Sequence, residues 1–169
     1  KIVAVSREAN PPSRAVGPRT KVAVDSVEEE VDPVGACIGA RGARIQQVVN
    51  ELRGEKIDVI KWSSNPIQYI LNSLSPAKVD QVRLVDPAGQ HAHVLVPPDQ
   101  LSLAIGREGQ NVRLAARLTG WKIDVKNSHE YDQEAEDAAV SELIIQREEE
   151  ENLQREAELR LEAEQAERA

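Results

Sequence analysis

The chain contains one small unit twice, and this internal repeat constrains the fold more than any other feature of the sequence. Residues Ile38–Gly42 (IGARG) return as Ile105–Gly109 (IGREG) 67 positions later, and Lys56–Val59 returns unchanged as Lys122–Val125, 66 positions later. Two matches at nearly the same offset indicate a duplicated structural unit with one residue gained or lost between them. We therefore predict two copies of one small domain in tandem.

Each copy has the pattern of two short helices that are separated by a Gly-x-x-Gly turn and followed by a strand. A hydrogen-bond acceptor beside a proline, at Asp32-Pro33 and at Pro98-Asp99, favours the start of a helix. Apolar residues recur at helical spacing after each turn, and Gly54 and Gly120 stand where the C-terminal glycine of a helix is expected. The alternation in the repeated KIDV string predicts a strand with one buried face.

Two further strands precede each helix pair, and the second copy also has a leading helix. The corresponding helix of the first copy is expected upstream of Lys1, because the chain contains no methionine and reads as a fragment of a longer protein. The predicted elements are strands at 1–6 and 21–26 joined by a loop at 10–18, a helix at 65–74, and strands at 81–85 and 91–96.

Charge divides the chain into a body and a tail. Residues 127–169 hold 15 acidic and 4 basic side chains, whereas residues 1–126 hold 14 acidic and 17 basic ones. The overall net charge of −8 therefore hides a mildly basic body, and only this body is expected to bind nucleic acid, since phosphate binding depends on local positive charge. We predict a first domain at 1–63, a second at 64–127 and a partly disordered acidic helical tail at 128–169.

The two Gly-x-x-Gly turns carry the chemistry that the body can offer. Glycine allows a tight turn and lets the backbone approach a ligand closely, and a following helix N-terminus attracts phosphate. The middle residues, Ala40-Arg41 and Arg107-Glu108, are expected to point outward, each pair with an arginine that can reach phosphate oxygens. The alternative is that the glycines serve only the close packing of two helices.

The longer strings around these turns carry a family resemblance. VDPVGACIGARGARIQQVVNELRGEKIDVI, SPAKV and PPDQLSLAIGREGQNVRLAARLTGWKIDVK closely resemble the tandem KH domains of the NusA family of bacterial transcription elongation and termination factors. The resemblance covers residues 1–127 and implies an α+β fold: two type II KH domains, each a three-stranded sheet packed on helices, followed by the acidic tail. The stretch Asn10–Gly17 reads as an insertion in a hairpin that is usually tight, and the tail lacks repeats.

The resemblance also implies a function. The glycine turns of the paired domains are expected to bind single-stranded nascent RNA, in the regulation of elongation, pausing, termination and antitermination. RNA polymerase and other transcription factors are the further expected partners, mainly through regions outside this chain, which is predicted to be a cytoplasmic monomer. A different class of function stays open, namely a protein-interaction scaffold built on degenerate KH units and the acidic helix.

Fourteen residues form the predicted RNA-binding set, and they lie in the turns, in the first turn of each following helix, and beside the last strands. For each basic residue a solvated surface role is the alternative. An apolar floor of the groove is expected at Ile38, Ile45, Ile105 and Val112, and Trp62 and Trp121 are interpreted as packing residues. The predicted RNA-binding residues are Gly39, Ala40, Arg41, Gly42, Arg44, Lys56, Gly106, Arg107, Glu108, Gly109, Gln110, Asn111, Arg113 and Lys122.

The sequence offers little for catalysis. His91 and His93 share a strand face at a spacing that can hold a metal, but no third ligand is near in sequence, so we interpret them as facing solvent. The single cysteine, Cys37, reads as a small buried hydrophobe and excludes a disulfide within the chain. Neither turn fits a nucleotide-binding fingerprint. We predict no enzyme, cofactor, metal or membrane span.

The tail allows three interpretations. Its composition, without proline or glycine, favours a helix throughout. The helix is solvated and partly frayed in the first interpretation, docks on a basic partner in the second, and covers the RNA-binding surface of the body in the third.

Overall fold

A computed structural model describes residues 1–168 of the chain. The part from Lys1 to Tyr131 forms one compact unit, and the part from Asp132 onward forms another. The strands and helices are β1 (Ile2–Glu8), β2 (Arg19–Val24), α1 (Pro33–Ile38), α2 (Ala43–Glu51), β3 (Lys56–Lys61), α3 (Pro66–Ser73), β4 (Gln81–Asp86), β5 (His91–Val96), α4 (Leu101–Ile105), α5 (Gln110–Thr119), β6 (Lys122–Asn127) and α6 (Gln133–Arg168).

The first unit contains two three-stranded sheets of identical topology. In each sheet the first two strands are antiparallel and the last two are parallel, in the orders β1-β2-β3 and β4-β5-β6. Even the parallel register is repeated, since Lys21 pairs with Asp58 in one sheet and His93 pairs with Asp124 in the other. The chain therefore folds as two tandem KH-type domains of α+β class, followed by a helix.

Most helix starts and stops follow the local signals read from the sequence. An exception is Asp99, which does not cap α4: Pro98–Gln100 form a 3-10 turn, and α4 begins at Leu101 without a side-chain cap. Asp32 caps α1 by accepting a hydrogen bond from the Val34 amide, and Asn65 caps α3 in the same way. Gly120 ends α5 in the left-handed conformation at φ 74°. Gly54 does not end α2 as the sequence predicts. This helix ends earlier, at Glu51, and Arg53 takes the left-handed conformation.

The core of the second domain lies between its sheet and its helices. Ile70 and Leu74, at the end of α3, are completely buried against β5 and against α4 and α5. The members of this core that the structure buries most deeply are Ile70, Leu74, Val82, Ala92, Val94, Val96, Ala104, Ala115 and Ile123. Burial of these side chains supplies most of the stabilisation of the domain.

The first domain has an open apolar groove at the corresponding place. Side chains of its sheet and of α1 and α2 line this groove, and their counterparts in the second domain pack beneath or beside α3. The helix α3 precedes β4 in the second domain, whereas no helix precedes β1 among the described residues. The residues lining the groove are Ile2, Val22, Val24, Cys37, Arg44, Ile45, Val48, Ile57 and Val59.

The two domains meet at the far face of the first sheet, meaning the face that points away from α1 and α2. Ala23 and Ile60 on this face pack against Tyr69 of α3 and Leu118 of α5. The Tyr69 hydroxyl donates a hydrogen bond to the Leu118 carbonyl at 3.2 Å. This apolar contact joins the sheet of one domain to the helices of the other.

A buried ion pair lies in the same interface. The Lys21 ammonium is fully buried and donates to the Asp58 carboxylate at 3.0 Å and to the Ser75 carbonyl at 2.9 Å. Arg19 approaches the same carboxylate at 2.6 Å. Burial lowers the pKa of the Lys21 ammonium to about 8, although the adjacent Asp58 carboxylate opposes this shift.

The tail is a continuous helix of 36 residues, Gln133–Arg168, as its composition predicts. Val140 is buried, whereas Leu153, Leu159 and Leu161 are exposed. Among residues 1–168, no helix has the length and apolarity that a membrane crossing requires.

The depth of α3 in the core gives a first prediction. Replacing Ile70 by alanine should lower the free energy of unfolding by about 2–5 kcal/mol, because the cavity left behind cannot fully collapse. Ile67 lies in the same helix but is 41% exposed, so Ile67→Ala is the matched control and should cost less than about 1 kcal/mol. Urea unfolding followed by circular dichroism measures both. Equal losses would contradict this packing.

The buried ammonium gives a second prediction. Because the pKa of Lys21 is about 8 in the folded chain against 10.5 when solvated, the unfolded state binds more protons between these values. Stability contributed by Lys21 should therefore rise with pH across this window, by up to about 3 kcal/mol. The unfolding free energy of the wild type minus that of Lys21→Met should therefore become more positive across this window, as measured by urea unfolding at a series of pH values. A difference that does not change with pH would contradict the burial of the ammonium.

Candidate nucleic-acid interface

The two glycine turns have the same backbone conformation. Gly39 has φ 76° and ψ 178°, and Gly106 has φ 78° and ψ 169°. Arg41 and Glu108, the third residues of the turns, both take left-handed values near φ 54° and 53°. Each turn thus has three residues with positive φ, at its first, third and fourth positions, between two short helices, and the two turns repeat the same backbone conformation.

The first and second glycines of each turn meet different requirements. A Cβ atom added to Gly39 would lie 2.7 Å from the Arg44 Cβ, and one added to Gly106 would lie 2.7 Å from the Asn111 amide nitrogen. A Cβ on Gly42 would meet nothing within 4 Å. The first glycine therefore permits close helix packing, whereas the second, also left-handed, leaves an open backbone face.

Some amide groups of the turns are already occupied. The Gly39 amide donates to the Gly35 carbonyl at 2.9 Å, and the Gly42 amide donates back to the Gly39 carbonyl at 3.2 Å. The second turn repeats this arrangement. The glycine N–H groups therefore stabilise the turn itself, and an incoming phosphate would meet the middle residues and the first turn of the next helix.

The middle residues of both turns are exposed, as predicted. Ala40 and Arg41 face solvent in the first turn, and Arg107 and Glu108 do so in the second. Arg44, at the start of α2, is also exposed, and its guanidinium donates to the Ala36 carbonyl at the end of α1.

The second turn is braced by the hairpin loop of the first domain. The Arg107 guanidinium donates to the Ala15 carbonyl at 3.2 Å, and the Ser13 hydroxyl donates to the Glu108 carboxylate at 3.0 Å. Both partners belong to the stretch that the sequence marks as an insertion, Asn10–Gly17. This loop therefore holds the second turn in place, and the first turn has no equivalent brace among the described residues.

Three predicted contact residues at the start of α5 have structural partners. Gln110 is buried, with its amide donating to the Gly17 carbonyl at 2.9 Å. Asn111 is completely buried and donates to the Leu74 and Ala104 carbonyls at 3.2 and 2.8 Å. The prediction that these two amides reach nucleic acid does not fit their burial, because hydrogen bonds inside the protein use their donors.

Arg113, the third of these residues, forms an ion pair across the domain boundary. Its Nε and Nη2 donate to the two carboxylate oxygens of Glu8, at 2.8 and 3.1 Å. The same carboxylate lies 4.0 Å from Arg117. Arg7, Arg113 and Arg117 line an open cleft around Glu8. Local motifs gave no signal for Arg7 or Arg117, because the cleft joins residues from two domains.

The two predicted lysines lie away from the turns of their own domains. The first turn precedes α2 and Lys56 follows it. The nine-residue helix between them is about 14 Å long, so it separates Lys56 from this turn. Instead, Lys56 lines a cleft between the domains together with Arg107 and Arg19. Lys122 is exposed beyond the far end of α5. The structure thus brings Lys56 to the second turn and leaves Lys122 remote from it.

The predicted apolar floor is divided between two environments. Ile45 and the half-buried Cys37 line the open groove of the first domain, while Val112 packs against the core of the second. Trp62 packs edge-on against Tyr69 with ring centroids 6.5 Å apart, and Trp121 packs on the second core. Both tryptophans are packing residues, in agreement with the sequence interpretation.

The prediction that His91 and His93 face solvent is wrong. They are only 7% and 3% exposed, because the whole of β5 is buried on both faces. The His91 Nε2 lies 2.6 Å from the Asp124 carboxylate, and the His93 Nδ1 lies 2.9 Å from the Tyr131 hydroxyl. Strand alternation places both imidazoles on the far face of the second sheet, where Tyr131 contacts His93.

Comparison with known proteins assigns both domains. Residues 2–62 match the family model of the NusA-like first KH domain, and residues 66–133 match that of the NusA-like second KH domain. Together these matches span well over half of the chain.

Longer proteins are similar to most of this chain. The chain is 54% identical to the transcription termination/antitermination protein NusA of Halalkalibacterium halodurans, over 70% of this chain and 31% of that protein. Identity is 53% to the protein of the same name from Bacillus subtilis, over 68% of this chain and 31% of that one, and 52% to that of Mycobacterium bovis, over 74% and 34%. The chain spans about a third of the length of these relatives. It therefore belongs to the NusA-like KH family and carries the first and second KH domains of that family in tandem.

Proposed function

We propose that the paired domains bind single-stranded RNA through their two glycine turns. The open backbone face at the second glycine of each turn carries this proposal, because a Cβ atom there would meet nothing within 4 Å at Gly42 and only the Arg113 Nη1, at 3.8 Å, at Gly109. A sugar–phosphate chain can therefore approach the backbone at these two positions. KH domains clamp a short stretch of nucleotide backbone with such a loop. Membership of the NusA-like KH family supports the same activity.

The proposed contact surface is narrower than the sequence alone indicates. It consists of residues 40–42 with Arg44 in the first domain, and of residues 107–109 with Lys56 at the second turn. Gln110, Asn111 and Lys122 are excluded, the first two because they are buried and the last because it lies beyond the far end of α5. The cleft shared by Lys56 and Arg107 gives a phosphate a cationic site between the domains.

The wider role that we propose is that of the named relatives. The chain acts in the cytoplasm as the RNA-binding part of a factor that regulates transcription elongation, pausing, termination and antitermination. RNA polymerase and other transcription factors are its protein partners, mainly through regions outside this chain, and the chain itself is a monomer and a binding module without catalytic activity. The names of the relatives support this role, and no observation favours the scaffold alternative.

Aspartate at the second glycine of each turn tests the clamp. Gly42→Asp places a carboxylate in open space beside the phosphate path, and Gly109→Asp places one near the Arg113 guanidinium, whose Nη1 is 3.8 Å from the added Cβ. Each should weaken RNA binding at least about tenfold, through electrostatic repulsion of the phosphates. Both positions are left-handed, which Asp and Asn tolerate better than most residues. Fluorescence anisotropy with unstructured RNA oligonucleotides measures the affinity.

The matched controls are Gly42→Asn and Gly109→Asn, which have the same shape and no charge. They should retain most of the affinity, and thermal unfolding should be the same for each Asp and Asn pair. Gly39 and Gly106 are unsuitable sites, because any Cβ there collides with the following helix. Wild-type affinity in the Asp variants would refute the clamp.

Salt dependence tests the cationic cleft. Lys56→Gln and Arg107→Gln should each reduce the slope of log affinity against log salt concentration by about 0.7, the value for one lost contact to a single strand. Lys122→Gln is the control, since this exposed lysine carries the same charge but lies away from both turns. An equal reduction in all three variants would show that only net charge matters and would contradict the cleft.

A further inference from the structure

The two sheets carry equivalent polar clusters on their far faces. In the first sheet, the Asp58 carboxylate accepts from the side chains of Arg19 and Lys21 on the adjacent strand. The parallel register aligns Arg19 with Lys56 and Lys21 with Asp58, and it aligns the second sheet in the same way. His91, His93 and Asp124 therefore occupy the positions of Arg19, Lys21 and Asp58.

The second cluster has imidazoles at the positions where the first has an arginine and a buried lysine. In the first domain the Lys21 ammonium lies fully buried against the carboxylate, as a positive charge that belongs to the chain. In the second domain the same two positions hold imidazoles, whose neutral form offers a lone pair rather than a charge. The fold thus places two nitrogen ligands and a carboxylate where its duplicate places a cation.

The ligand atoms of the second cluster converge. One ligand atom from each of His91, His93 and Asp124 lies within 4.8 Å of the other two. The Asp124 Oδ2 is 2.6 Å from His91 Nε2 and 3.9 Å from His93 Nε2. In a tetrahedral zinc site, ligand atoms are about 3.3 Å apart, since each bond is near 2.0–2.1 Å. Small side-chain rotations would therefore bring the three atoms to the spacing that zinc requires.

The surroundings fix one of the imidazoles and leave an entry path. The Tyr131 hydroxyl lies 2.9 Å from His93 Nδ1. In the tautomer with the proton on Nδ1, this nitrogen donates a hydrogen bond to the hydroxyl and Nε2 is the ligand atom. Arg83 donates to the same hydroxyl at 2.6 Å. Both histidines are buried, but the Asp124 side chain is 40% exposed, which connects the cluster to solvent. The positive charge of Arg83 opposes a bound cation and limits its affinity.

We propose that His91, His93 and Asp124 form a binding site for a divalent transition-metal ion, with zinc as the best-fitting ion. Two imidazole nitrogens and one carboxylate oxygen suit this class of ion, and three protein ligands leave a fourth position for water. The ion takes the structural place that the Lys21 ammonium has in the first domain. Its role is to join β5 to β6 on the far face of the second sheet.

Calorimetric titration of the complete chain, without an affinity tag, tests this site. Zinc chloride should bind saturably with one ion per chain, and cobalt(II) should give the visible absorption bands of a tetrahedral complex with nitrogen and oxygen ligands. His91→Gln and His93→Gln should each weaken zinc binding at least about tenfold. Tyr131→Phe should weaken it by a similar factor through loss of the hydrogen bond to His93 Nδ1.

Two matched variants make the result specific. His129→Gln removes the remaining histidine, which is exposed, and should leave binding unchanged. The double variant His91→Arg/His93→Lys rebuilds the Arg19 and Lys21 arrangement, so it should fold with unchanged circular dichroism and lose both the zinc heat and the cobalt bands. This variant keeps the test valid if the glutamine variants fail to fold.

Two outcomes would overturn the proposal. Absence of saturable zinc binding in the folded wild-type chain would show that the imidazoles serve only as hydrogen-bonded packing groups. One-to-one binding that survives the His91→Arg/His93→Lys change would place the ion elsewhere, such as on the acidic helix or Cys37.

Discussion

The contact between the far face of the first sheet and helices α3 and α5 determines where the two glycine turns lie. Ala23 and Ile60 contribute apolar surface to this contact, and Lys21 contributes a buried ammonium that reaches the Ser75 carbonyl of the next domain. Burying an ammonium is costly, and Asp58 offsets only part of the cost, as the lowered pKa of Lys21 indicates. Because the ammonium must keep both acceptors, the interface has one favourable arrangement, and the spacing of the turns follows from it.

The two turns have the same backbone conformation, but this arrangement gives them different surroundings. The second turn is held by Ser13 and Ala15 of the first domain, so its side chains are ordered before any ligand arrives. The first turn faces solvent and must be ordered when a ligand binds, at a cost in side-chain entropy. For a strand that crosses both turns, binding at the braced turn raises the effective concentration at the other. The insertion in the hairpin thus has a structural role, because it holds the second turn in place.

The sequence predicts the features that depend on the local backbone. It does not predict the contacts between residues that are far apart in the chain. Periodicity, caps and glycines gave the helices and strands to within two or three residues, because each signal acts within one turn of chain. The burial of Asn111 and of the histidine pair could not be read locally. Asn111 is held by the carbonyl of Leu74, 37 positions earlier, and His93 is contacted by Tyr131, 38 positions later. The brace on the second turn likewise joins residues more than 90 positions apart.

Comparison of the two domains shows which residues are required by the backbone conformation and which depend on the neighbouring residues. Gly39 and Gly106 are the same residue because both meet a helix that leaves no room for a Cβ atom. Lys21 and His93 differ although they share a register position, because one faces a neighbouring domain and the other faces Tyr131. Asp58 and Asp124 are nevertheless the same residue, so a carboxylate is present in both sheets while its partner changes. The carboxylate lies beside the Lys21 ammonium in the first sheet, and in the second sheet the proposed metal ion would take that place between the carboxylate and the two imidazoles.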